Sequence, residues 1–277
     1  MQHIDAHQHY WNPSRNDYGW LTPDQPVLYR TYGPSDLAGL RQGAGIGQTI
    51  VIQAAPTLEE TRYLLGVARG EASIAGVVGW VPLLDPAAPA LIAELALDTR
   101  FKGVRPMLQD LPDDNWINNP ALVPAIEALI AHDLAFDALI FAQHAAALAA
   151  FATRFPALRI VIDHGAKPPI RAGGMERYAW AEALNRFAPL PQVYCKLSGL
   201  ATEAAPGWTD ATLRPYVEHL LTVFGPARLM WGSDWPVLNL NGDYLRWHGS
   251  ARTLLAALPE QERDAIFGGN ARIFYRL

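Results

Sequence analysis

Eight short apolar runs, most rich in β-branched or aromatic residues, recur along this chain, and stretches of helical character separate them. They are HIDAHQH (3–9), TIVIQA (49–54), IAGVVGWVPL (74–83), FKGVRP (101–106), LAFDALIF (134–141), LRIVIDHG (158–165), QVYCKLSGL (192–200) and RLMWGSDWP (228–236). Strands alternating with helices dictate a parallel sheet, because each helix carries the chain back to start the next strand in the same direction. Eight such units predict an α/β fold, a closed (β/α)8 barrel of the TIM type. A doubly wound open sheet is the alternative. Its dinucleotide-binding form is disfavoured, since no glycine-rich fingerprint follows the first run.

Helix signals fall in the intervals. TLEETRYLLGVARGE (57–71) opens on Thr57 with Glu60 three residues on, the pattern of a capping box. NPALVPAIEALIAH (119–132) has Asn119 placed to cap and Pro120 at the first helical position. QHAAALAAFATRF (143–155) is Ala-rich and stops before Pro156. No linker, repeat or low-complexity segment divides the chain, so residues 1–277 read as one barrel domain. The irregular stretch at 10–37 directly follows the first strand, and a loop of that length in a compact enzyme is usually functional.

The net charge of −5 and the absence of basic runs argue against a nucleic-acid or membrane-surface role. One cysteine, Cys195, cannot form an internal disulfide, which favours a reducing compartment. The start, MQHIDAHQHY, has neither a basic segment nor an apolar signal core, and no run long enough to span a bilayer follows. The cytoplasm is the expected location.

In a parallel barrel, residues at the C-terminal ends of the strands converge on one mouth. Here those positions are polar. His7 and His9 end the first strand on a shared face, because strand side chains alternate with period two. Gln53 ends the second and Arg105 the fourth; Asp163, His164 and Lys167 end the sixth. Lys196 and Ser198 lie on the seventh and Asp234 closes the eighth. Charged side chains are rarely buried unpaired, so this collection predicts a site. Singly, each has a structural reading: Arg105 and Lys196 as salt-bridge partners, Asp163 and His164 as a structural pair, Asp234 as the start of a turn.

The motifs DAHQHYW, FKGVRP, IDHGAKPPI, YCKLSGL, GSDWP and the closing GGNARIFY occur in an order and spacing that resembles the amidohydrolase superfamily. Within it, the chain is similar to the amidohydrolase-2 branch of small lactonases, and most to those acting on L-fucono- and L-rhamnono-lactones. The resemblance covers essentially the whole chain. It implies a distorted barrel that adds water to an electrophilic carbon, with His7, His9, His164 and Asp234 as catalytic residues, and a place in sugar metabolism such as L-fucose degradation. The strand-four lysine that bridges two metals in other members is absent from GVRP, so a binuclear site is not expected. A single divalent metal, zinc, held by His7, His9 and Asp234 with His164 or His144 as a fourth ligand, is one expectation; His144, just past the fifth strand, reads equally as an exposed residue at the start of the next helix. Catalysis with no metal is the other.

On this reading Asp234 takes a proton from the water that attacks the lactone carbonyl, and the histidines or their metal stabilise the oxyanion. Arg105, Lys167, Lys196, Trp11 and Gln53 are the expected substrate-binding residues, with Arg30 as a further cation. Trp20, Trp116 and Trp235 are further aromatic faces for a sugar ring. So few cations suit a neutral aldono-1,4- or 1,5-lactone, L-fuconolactone for example, better than a dianion. The rival readings are a metal-dependent decarboxylase or an aromatic or dicarboxylate lactone hydrolase of the same superfamily, and a non-catalytic sugar-binding barrel. The sequence leaves the oligomeric state open.

Overall fold

A computed structural model describes residues 2–277. The eight strands are β1 (His3–Gln8), β2 (Ile46–Ile52), β3 (Ile74–Gly79), β4 (Phe101–Val104), β5 (Ala135–Ala138), β6 (Ile160–Ile162), β7 (Val193–Leu197) and β8 (Leu229–Trp231). Each pairs in parallel with the next in chain order. The helices are α1 (Pro34–Gly43), α2 (Leu58–Gly70), α3 (Ala88–Leu95), α4 (Val123–Ala131), α5 (Ala145–Arg154), α6 (Gly174–Leu184), α7 (Leu200–Glu203), α8 (Asp210–Phe224), α9 (Tyr244–Leu254), α10 (Glu260–Asp264) and α11 (Asn270–Phe274). All eight expected strands form where the apolar runs lie. They end one to five residues early on the mouth side, where the polar residues leave the ladder. None of the described helices is long and apolar enough to cross a membrane.

Local chemistry explains the helix starts, with one departure. Thr57 caps α2 by accepting from the Glu60 amide at 3.1 Å. The Glu60 carboxylate does not complete the box; it turns inward and accepts from the amides of Ala54 and Ala55 instead, anchoring the loop that follows β2. Asn119 accepts from the Ala121 amide at 2.9 Å, but Pro120–Leu122 forms a 3-10 turn before α4 begins.

The barrel is nearly closed. Between β1 and the segment after β8 there is one bridge, Gln8 with Trp235, supported by His9 N donating to Trp235 O and Asp234 N donating to His7 O, both at 2.8 Å. Lower in this seam the C-terminal segment fills the gap. Asn270 Nδ2 donates to the Leu229 and Pro226 carbonyls, and a Cβ on Gly268 would meet the Ile4 amide at 3.0 Å. Asp5 staples the seam from the outer face, accepting from Ser233 N at 2.8 Å, His7 N at 3.2 Å and Tyr244 Oη at 3.0 Å.

The interior is layered. At the bottom Ile4, Ile50, Val78, Val161 and Met230 form an apolar cluster plugged by Phe274 and Tyr275. A bulge between Asp5 and Gln8 shifts the register of β1. It turns His7 toward the interior although Asp5, two residues earlier, faces out to Tyr244. Bulges commonly re-aim a side chain next to a site in this way.

Candidate active site

Above the apolar plug lies a layer of buried charge. β6 pairs with β7 so that Ile162 faces Cys195, which brings the next residues, Asp163 and Lys196, together. Lys196 Nζ lies 2.5 Å from Asp137 Oδ2, 3.0 Å from Asp163 Oδ1 and 3.1 Å from His7 Nδ1. Tyr275 donates to Asp137 Oδ2 from below at 2.8 Å, and Arg105 Nη1 reaches Asp163 Oδ2 at 3.3 Å. Burial works to raise the Asp163 pKa, but Lys196, His7 and Arg105 outweigh it and hold this carboxyl well below the usual range. Arg105 is fixed in turn by a reciprocal clasp. Its Nη2 donates to the Gln53 carbonyl, and Gln53 Nε2 donates to the Arg105 carbonyl at 2.8 Å.

The next layer is the mouth itself. Nε2 of His9, His7 and His164 lies 3.3, 3.7 and 3.8 Å from Asp234 Oδ1. Burial comes first in lowering the pKa of both His7 and His164, the latter to about 4, so both imidazoles are neutral at neutral pH. Burial would raise the Asp234 pKa, but the three histidines overcome it and keep the carboxyl ionised. His9 Nδ1 lies 2.8 Å from the Ile52 carbonyl, which can only accept, so Nδ1 carries a proton and the ring is fixed with Nε2 turned to Asp234. His164 Nδ1 is fixed by Ser198 Oγ at 2.9 Å, and His7 Nε2 has no hydrogen-bond partner.

His7 Nε2, buried and without a hydrogen-bond partner, faces Asp234 beside His9 Nε2, and two imidazoles converging with one carboxylate match the donor set of a one-metal site. His7, His9 and Asp234 form such a group, and His7, Asp163 and His164 form a second that shares His7.

The local backbone is built for these positions. His164, Gly165, Ala166 and Lys167 all have positive φ, between 49° and 58°, and Asp234 has φ 58°. Left-handed backbone costs non-glycine residues about 1–2 kcal/mol each, so the turn needs outside support. Trp180 supplies some by donating to the Gly165 carbonyl at 2.8 Å. Two glycines make room: a Cβ on Gly199 would lie 2.7 Å from the His164 ring, and one on Gly232 would lie 2.6 Å from His7 Cβ.

A cavity of about 270 Å³ opens over this layer. His9, His164, Asp234 and Arg105 line its floor, with Trp20, Met107, Leu139 and Val237 as apolar walls. Lys167, Glu203, Thr202, Gln109 and Asp110 add polar groups. A second cavity of about 460 Å³ adjoins it, sharing Trp20, Met107 and Asp110 and walled by Trp80 and Trp116.

The structure gathers His7, His9, His164 and Asp234, and places Arg105 and Lys167 at the cavity. It corrects the position of several others. Lys196 is fully buried beneath His7, and Gln53 is buried behind Arg105. Trp11 is buried and donates to the Leu28 and Arg30 carbonyls; Trp20, from the same loop, lines the cavity in its place. Arg30 pairs with Asp36 at the surface, and Trp235 packs on Tyr10 and Tyr32. His144 is no fourth ligand: it sits at the start of α5, accepting from Phe141 N and facing Asp114 at 3.1 Å. Sequence reasoning missed Glu203, Gln109 and Asp110 in the cavity, Asp137 beneath it and Asp5 on the outer face of β1. Asp137 carries a visible signal, an acid inside an otherwise apolar strand.

Fold and site together define a (β/α)8 barrel with a histidine-and-aspartate centre at the strand ends. The chain belongs to the amidohydrolase family, whose pattern it matches over residues 4–277. It is 50% identical over 278 residues to an L-fucono-1,5-lactonase of Burkholderia ambifaria, covering 99% of this chain and 95% of that one. An L-fucono-1,5-lactonase of Burkholderia multivorans is 36% identical, over 99% and 96% of the two chains. The crystal structure of an amidohydrolase from Burkholderia multivorans with bound zinc superposes with a TM-score of 0.94, at 34% identity and over the full length of both chains.

Proposed function

We propose that this protein opens L-fucono-1,5-lactone to the hydroxy acid. The observation that carries the reading is the 50% identity, along nearly the whole chain, to a lactonase of that specificity. The cavity is consistent with it. Its size suits one sugar ring, Trp20 and Met107 offer apolar faces, and its polar groups have mixed charge, which suits a neutral polyol better than a dianion.

In the reaction Asp234, anionic and at the floor, takes a proton from water as that water attacks the carbonyl carbon. Arg105 and Lys167 supply positive charge at the cavity for the developing oxyanion. A divalent cation, zinc foremost, held by His7, His9 and Asp234 with His164 beside them, would acidify water and polarise the carbonyl when bound. The layer beneath keeps His7 in place through Lys196 and Asp163. The cytoplasm suits this enzyme, since its one cysteine, Cys195, is buried and unpaired.

The test is acid release from a panel of aldono-1,4- and 1,5-lactones, with a dicarboxylate lactone as the charged control. Turnover fastest on L-fucono-1,5-lactone supports the reading; activity on the charged control alone, or none, refutes it. Metal content is measured on the same samples. Dialysis against a chelator should abolish turnover, and added zinc should restore it.

A further inference from the structure

Opening a lactone ring expels an alkoxide, a poor leaving group, so a proton has to reach the ring oxygen as its bond to the carbonyl carbon breaks. Asp234 Oδ1 is already faced by three imidazole nitrogens at 3.3–3.8 Å. The cavity contains another carboxyl that the chemistry so far leaves unused. Glu203, in the four-residue α7 just after β7, lines the same cavity as Asp234, half-buried. Among the described residues its carboxyl has no hydrogen-bond or ion-pair partner, although Lys167 and Arg171 are near enough to act on it electrostatically.

So short a helix does not hold itself, yet Glu203 is firmly presented. Asn241 Nδ2 donates to the Ala201 and Ala204 carbonyls at 2.7 and 2.9 Å, and Arg171 N donates to the Glu203 carbonyl at 3.1 Å. At its other end α7 is capped by Gly199, which packs against the His164 ring. An unpartnered carboxyl on an anchored backbone in a reaction cavity is placed to meet substrate.

Resting on the lactonase reading, we infer that Glu203 is the acid that protonates the departing ring oxygen. Asp234 and Glu203 then divide the work. Water gives its hydroxyl to the carbonyl carbon and its proton to Asp234; the carbon–ring-oxygen bond breaks as the Glu203 proton passes to that oxygen. Afterwards Glu203 regains a proton from solvent and Asp234 releases one, so one water is consumed for each hydroxy acid formed. Burial raises the Glu203 pKa above the ordinary carboxyl range, Asp234 adds to the rise, and Lys167 and Arg171 only partly offset it. That favours the protonated form the role requires.

The experiment compares L-fucono-1,5-lactone with its 5-thio analogue, which has the same hydroxyls but expels a thiolate. A thiol ionises near ~8.5, so it leaves without help from an acid. Wild type, Glu203→Gln and Glu203→Asp are assayed on both. Glu203→Gln should cut kcat on the oxygen lactone by about 10²-fold and on the thio analogue by under about 3-fold, with Glu203→Asp between wild type and Gln. Equal losses on both substrates, a rise in KM alone, or no loss on the oxygen lactone would overturn the acid role. Glu203 makes no side-chain hydrogen bond, so the variants should fold, which circular dichroism checks. Wild type inactive on the oxygen lactone would instead refute the lactonase reading, and this role with it.

Discussion

The two polar layers of this barrel are built on opposite terms. In the buried layer every charged side chain is paired: Lys196 with Asp137 and Asp163, and Arg105 with Asp163, at 2.5 to 3.3 Å. Around the cavity above, Lys167 and Glu203 have no ion-pair partner among the described residues, and Gln109 Oε1 has no hydrogen bond. Breaking a buried pair strands a charge away from water, whereas an exposed or half-exposed one is solvated until a ligand arrives. The paired layer therefore belongs to the fold and the unpaired one to the substrate. His7 and Arg105 belong to both: His7 is held from below by Lys196 and turned upward to Asp234, and Arg105 is paired with Asp163 while lining the cavity floor.

That contrast can be broken most severely at Lys196. Lys196→Met leaves Asp137 without its cation and Asp163 with Arg105 alone, and should cost about 3–5 kcal/mol in a urea titration. A loss under about 1 kcal/mol would mean that the pairs do not hold the layer. Lys167→Met tests the other layer with the same change of residue. It should leave stability within about 0.5 kcal/mol and lower kcat for the lactone about 10-fold, with no preference between the oxygen and thio substrates. A large stability loss there would erase the distinction between the layers.

A smaller effect sharpens the comparison from outside the site. Burial pushes the Glu60 carboxyl, which holds the Ala54 and Ala55 amides, up to about 8 from an ordinary value of 4.5. Its pKa is higher folded than unfolded, so its contribution is fully present below about pH 4.5 and is lost as pH rises through 8. Glu60→Gln keeps an acceptor for one amide and should flatten the fall in stability across that window. An unchanged pH profile would show that this carboxyl does not titrate with folding.

What the sequence made legible follows from period. An apolar run carrying a charge at its mouth end announces both a strand and a site, which is how His7, His9, Arg105, His164 and Asp234 could be found. Period two does not report a bulge, so it cannot reveal that Asp5 faces out while His7 faces in. Pairing partners such as Asp137 for Lys196 depend on register between strands far apart in the chain. Loops have no period at all. Trp20 therefore stands where Trp11 was expected, and Glu203 and Gln109 came to light only once the chain was folded. His144 failed as a ligand because the chain turns into α5 before its side chain can reach the mouth.

The most direct test of the account is Asp234→Asn, with turnover of L-fucono-1,5-lactone and the urea midpoint measured on the same preparation. Asn tolerates the left-handed backbone at this position as Asp does. The account predicts a loss in kcat of about 10²–10⁴-fold with stability held within about 1 kcal/mol. Turnover near that of wild type in a folded variant would contradict it.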